Sequence, residues 1–116
     1  MKALIVLNDP PYGTERSYNG LRLAMALAKL PDVEVRVFLM GDAVSCARAG
    51  QKTPNGYYNL ERMIEWLVAR NVPLRICGSC MDARGLSGKS VIAGVERGSM
   101  EELADWHRLA DKVSIF

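Results

Sequence analysis

Cys77-Gly78-Ser79-Cys80 is the segment whose residue types and spacing offer the most chemistry. The pair stands at the end of a short apolar run, where a strand would hand over to a helix. A thiolate there is favoured by the helix dipole and by a nearby cation such as Arg84, and the thiolate is the species that attacks or holds sulfur. The plainer reading is two apolar fillers, since free cysteines are commonly buried. The adjacent glycines and the polar Asp82-Ala83-Arg84-Gly85 weigh against it. A thioredoxin-like role would need a later proline beside the thiols, and none follows Pro73. Zinc would have to draw on Cys46, Cys77, Cys80 and His107, whose spacing contains no second ligand pair. No metal and no cofactor is expected.

Other motifs carry less. Gly88-Lys89-Ser90 ends like a phosphate-binding loop, but Ala83 stands where the full pattern requires glycine, no strand directly precedes it and no solid helix follows. His107, the one histidine, falls on the apolar face of the last helix, which suits a core or interface residue better than a base. Tyr12, Glu15 and Asp42 lie in segments that leave strands, where each serves equally as a site residue or as a turn and cap residue.

The elements that must position these residues alternate. Lys2 to Leu7 is a continuous aliphatic run, the pattern of a strand buried on both faces, and is assigned as the central strand. Glu15 to Leu30 has helical spacing and is stopped by Pro31-Asp32. Val33 to Leu39 alternates, predicting a second strand with one wetter face, and Asp42 to Ala49 a short helix. Leu60, Met63, Ile64, Leu67 and Val68 define a helix with Asn59 as its cap. Leu74 to Ile76 is a third strand running into Cys77. From Gly78 to Gly98 only Val91 to Ala93 looks extended. Ser99 and Glu102 predict a capping box for a last helix, and Val113 to Phe116 a final strand.

Strands alternating with helices imply right-handed crossovers, a mostly parallel sheet of about five strands and helices on both faces, a three-layer α/β/α sandwich. Ligands of such sheets bind beyond the carboxyl ends of the strands. The segments Asn8 to Glu15, Gly41 to Cys46 and Cys77 to Gly85 leave strands at that edge and are far richer in polar, glycine and cysteine residues than the opposite edge, where Pro31-Asp32 and Val72-Pro73 are bland connections.

Composition sets the limits. The 116 residues are 49% apolar and 24% charged, as in one ordinary globular domain spanning 1–116. The net charge of +2 is spread without blocks, which argues against nucleic acid or an anionic membrane as partner. The apolar run Ala3 to Leu7 is too short for a signal-peptide core and no segment approaches a membrane span, so a reducing, cytoplasmic setting is expected. There, three cysteines are not a disulfide framework.

With these segments in view, the chain resembles the DsrE/DsrF-like sulfur-relay family in its YchN-like branch. The resemblance rests on Asn8–Ala24 (NDPPYGTERSYNGLRLA), Phe38–Ala43 (FLMGDA), Gly50–Lys52 (GQK), Asn71–Pro73 (NVP), Cys77–Gly85 (CGSCMDARG) and Ala110–Val113 (ADKV), in this order and at these spacings. It implies an α/β/α sandwich that assembles into trimers or hexamers, protein sulfur donors and acceptors, and a persulfide-carrying cysteine upstream of an Arg-Gly pair. By position that cysteine is Cys77, before Arg84-Gly85. Cys80 is an addition to the simplest family pattern, and it could resolve a Cys77 persulfide or itself accept sulfur.

The expected function is therefore a sulfurtransferase-like carrier working through Cys77 and Cys80. Arg84 and backbone N–H groups would lower the thiol pKa, Asp82 and Gly85 complete the loop, and Asn8, Tyr12, Glu15 and Asp42 shape the entrance. Two alternatives stay open. One is a non-catalytic assembly or regulatory subunit binding a small anion or nucleotide, and the other is a dithiol redox switch.

Overall fold

In the computed structural model, which describes residues 1–116, one sheet holds five strands in the order β4-β3-β2-β1-β5. They are β1 (Lys2–Leu7), β2 (Glu34–Leu39), β3 (Leu74–Cys77), β4 (Glu96–Gly98) and β5 (Lys112–Ile115). Every adjacent pair is parallel. The register Leu7↔Leu39 and Val6↔Phe38 puts the first pair on one face and the second on the other.

Helix α1 (Arg16–Ala28) packs through Gly20 on Leu7, and α2 (Leu60–Ala69) lies beside it. Helix α4 (Met100–Leu109) covers the opposite face, where the Trp106 ring meets Phe38 edge-on with centroids 6.0 Å apart. The three layers follow from the chain order: helices between successive strands stay on one side, and the long return from edge strand β4 to edge strand β5 must cross on the other.

The core joins Ile5, Leu7, Val37, Leu39 and Ile76 of the sheet to Leu21 of α1 and Leu60, Ile64 and Leu67 of α2, all of them essentially inaccessible. Each such side chain contributes about 1.5–3 kcal/mol by leaving water. Asn59 caps α2 as its sequence indicates, its side chain accepting from the Arg62 N–H at 3.1 Å.

Four sequence expectations need correction. The centre of the sheet is β2, with β1 beside it. An aliphatic run reports burial on both faces, a condition both strands meet, and does not report order. The fourth strand is Glu96–Gly98, whereas Val91 makes only an isolated antiparallel bridge with Arg48. An outer strand of polar residues paired on one side carries no hydrophobic period. The capping box at α4 is half formed. Ser99 accepts from the Glu102 N–H, but the Glu102 carboxylate turns to Arg75 at 3.1 Å instead of back to the cap. Lastly, His107 is exposed rather than part of the core, because Trp106 alone of α4 is fully buried.

Candidate functional site

Strand β3 ends at Cys77, and the next residue opens a short helix, α3 (Gly78–Ala83), with Cys77 in the cap position. The glycine after Arg84 stops that helix. Gly85 takes φ +64°, its N–H bonds the Asp82 carbonyl, and the Leu86 N–H bonds the Met81 carbonyl, a Schellman closure. Met81 and Leu86 bury themselves beside each other at this turn. The thiol pair is thus presented at the carboxyl edge of a parallel sheet by a strand-to-helix turn that its own sequence defines.

All three cysteines are free thiols. The Cys77 sulfur lies 3.4 Å from the Ser79 hydroxyl. Burial pushes its pKa up. The Cys80 thiol, the Ser79 hydroxyl and the N–H groups of both residues hydrogen-bond the anion, and together they hold Cys77 below the ordinary thiol range. Cys80, half-buried, moves the other way. Burial and its proton shared with Cys77 raise it, against the Gly41 N–H, which donates to the Cys80 sulfur at 3.3 Å, and the charge of Arg84. Of the pair, Cys77 is therefore the thiol that ionises more readily.

Two ion pairs brace α3 from either side. Arg84 places Nη2 2.8 Å and Nε 3.2 Å from Asp42 Oδ1, and donates from Nη1 to the Cys80 carbonyl. Arg97 of β4 grips Asp82 with both ends, at 2.9 and 2.8 Å. The pairing holds the Asp82 carboxyl below the usual carboxylate range. The Arg97 guanidinium lies directly on Gly78, where a Cβ would come within 2.6 Å of Nε and push the guanidinium aside. Beyond this pair, Ile76, Met81, Leu86, Val91 and Val95 line a cavity of about 340 Å³.

The structure brings together Cys77, Cys80, Asp82, Arg84, Gly85 and Asp42, and places the other sequence candidates apart. Asn8 is tied to the end of β5, its N–H and its Nδ2 both donating to the Phe116 carbonyl. The Tyr12 hydroxyl donates to Gln51 at 2.6 Å and accepts from the Leu60 N–H. Its ring joins Tyr57, Tyr58 and Tyr18 in one cluster. Glu15 is exposed at the start of α1 and makes no side-chain cap bond.

Three groups at the thiols escaped sequence reasoning as site members: Ser79, the Gly41 N–H and Arg97. Ser79 sits between the cysteines and was legible there. Arg97 had no local signal, since only the register Ile76↔Arg97 and Cys77↔Gly98 brings it to α3. Arg84, expected to lower the pKa of the reacting thiol, acts on Cys80, and Arg97 adds a second positive charge near Cys77.

Comparison with known proteins agrees with this architecture. The model of the DsrE/DsrF-like family matches residues 1–114. Protein YchN of Escherichia coli K12 is 47% identical over 116 residues, covering 99% of this chain and 98% of its own. An uncharacterized protein of Methanopyrus kandleri is 36% identical over 112 residues, covering 97% and 91%. The crystal structure of E. coli YchN superimposes with a TM-score of 0.94 over 100% of this chain and 99% of that one. A protein of unknown function from Methanobacterium thermoautotrophicum, at 14% identity, shares the fold with a TM-score of 0.79 over 99% and 98%. With its parallel five-stranded sheet and a thiol pair at the carboxyl edge, this chain, a homologue of YchN, belongs to the DsrE/DsrF-like family.

Proposed function

We propose that the chain is a sulfur carrier in which the Cys77 thiolate takes sulfane sulfur from a donor and holds it as a persulfide for a protein acceptor. The observation that carries this reading is the placement of Cys77 at the cap of α3, its sulfur 3.4 Å from the Ser79 hydroxyl, with Cys80 at the third position of the same helix. A helix start and a hydroxyl donor stabilise the attacking thiolate and serve the persulfide anion that replaces it equally well. The ion pairs Asp42–Arg84 and Asp82–Arg97 keep α3 in register with its neighbours. Tyr12, Glu15 and Asn8, engaged elsewhere, take no part in the thiol cluster. Transfer between proteins in a cytoplasmic setting suits a site at the rim of the sheet. Exposed Met100, Leu109 and Ile115 support self-association, as trimer or hexamer.

A second reading, an assembly or regulatory subunit that binds a small anion or nucleotide, draws on a polar cavity of about 240 Å³ lined by Lys52, Asn55, Asn59 and Arg62 with the half-exposed Tyr57. One experiment separates the two. Reduced Cys80→Ser protein is treated with a persulfide donor and weighed intact. The carrier gains about 32 Da, one sulfur atom, and the Cys77→Ser, Cys80→Ser double variant gains nothing. The absence of any adduct on the single variant favours the subunit.

A further inference from the structure

We propose that Cys80 discharges a Cys77 persulfide within the same chain, releasing hydrosulfide and leaving a Cys77–Cys80 disulfide, so that the carrier is also a sulfide-releasing dithiol when no acceptor is at hand. The inference rests on the carrier reading above and adds an activity to it.

The geometry is that of a cap and the third residue of its helix. Cys77 occupies the cap of α3 and Cys80 the third helical position, the two places whose side chains turn toward one another at a helix start. Both are free thiols, Cys77 with its sulfur 3.4 Å from the Ser79 hydroxyl and Cys80 with its sulfur on the Gly41 N–H. The inner sulfur of a Cys77 persulfide would therefore already be the nearest electrophile to Cys80, and closing the pair to the ~2 Å of a disulfide bond asks for side-chain rotation rather than backbone movement. The Gly41 N–H, 3.3 Å from the Cys80 sulfur, and the guanidinium of Arg84 stand ready to stabilise that sulfur as it becomes anionic. Cys46 is no competitor, being wholly inaccessible and engaged with the Asp9 carbonyl.

The step balances. The Cys80 sulfur pair forms the Cys77–Cys80 bond, the bond from Cys77 Sγ to the outer sulfur breaks, and its electron pair leaves on that sulfur with the Cys80 proton, as HS⁻. The two cysteine sulfurs are oxidised by two electrons in total, and the sulfane sulfur is reduced to sulfide. A low-molecular-weight thiol or dithiol reductant returns the pair to its starting state.

The test treats anaerobic, fully reduced protein with inorganic polysulfide and reads intact mass and free sulfide together. Wild type is expected to lose about 2 Da and to release about one sulfide per chain more than Cys80→Ser, which keeps a gain of about 32 Da and yields only the sulfide left by the polysulfide that loaded it. A circular dichroism spectrum matching wild type establishes that the variant is folded. Wild type that retains the added sulfur, with no sulfide beyond that of Cys80→Ser, overturns the inference and leaves the carrier reading intact. A disulfide in wild type with no adduct on Cys80→Ser overturns both, leaving a plain dithiol switch, and no mass change in either protein also overturns both.

Discussion

Cys46 and Cys77 are the same side chain placed beyond the ends of neighbouring strands, one in the 3-10 segment Gly41–Ala47 after β2, the other at the start of α3 after β3. Their accessibilities differ little, 0% against 8%. Their chemistry differs in direction. Burial pushes the Cys46 thiol up to about 12, with only partial relief from Ser17, while Cys77, also raised by burial, is brought down by the donors around it. Desolvation alone makes a thiol inert. Desolvation with hydrogen-bond donors aimed at the sulfur makes it a place to keep a negative charge.

The largest test of that contrast is alkylation of the native protein with iodoacetamide. At pH 8 a thiol with pKa about 12 is ionised in about one molecule in 10⁴. Cys46 should therefore react at least about a hundredfold more slowly than Cys77, and peptide mapping of a time course reads both. Comparable rates at the two positions would break the comparison.

Next in size is an alkaline effect on stability. The folded state holds the Cys46 proton up to about pH 12, whereas an unfolded thiol releases it near 9. Between those limits the native state binds the extra proton, so stability falls as pH rises, by about 1.4 kcal/mol per pH unit from this group. Denaturant unfolding of wild type and Cys46→Ala between pH 8.5 and 10 should show a shallower decline in the variant. Equal slopes would mean that the buried thiol is not held neutral.

The smallest expected effect sharpens the other side. Ser79→Ala removes one neutral donor from the Cys77 anion, a loss of about 0.5–1.5 kcal/mol, and should slow Cys77 alkylation at pH 7 by about two- to tenfold. The reaction's pH midpoint should move upward by the corresponding amount. Far-UV circular dichroism should stay unchanged, since Ser79 is exposed.

Much of the fold was legible because its signals are local. The aliphatic runs of β1 and β3, the stops at Pro31 and Pro73 and the Asn59 cap each act over a few residues. The strand-to-helix step at Cys77 and the Arg84-Gly85 stop are local in the same way, and they put the thiol pair at the sheet edge before any coordinates. Strand β4 was not legible. Glu96-Arg97-Gly98 becomes a strand only because the edge of β3 is there to pair with it. His107 lay one position from Trp106, and a helical period cannot say which of two neighbours faces the sheet.

From residue types and their spacing alone came the layered α/β architecture, the family resemblance, the edge at which chemistry belongs and the C-x-x-C that would carry it. Tertiary structure decided in which direction each thiol of the pair is shifted, which arginine comes near each and why the third cysteine is silent. The physical reason is distance along the chain. A thiol pKa is set by whatever surrounds the sulfur in space, and here that includes Gly41 on Cys80, Arg97 beside Cys77, and Asp9 and Ser17 around Cys46, groups that only the packed sheet brings within reach.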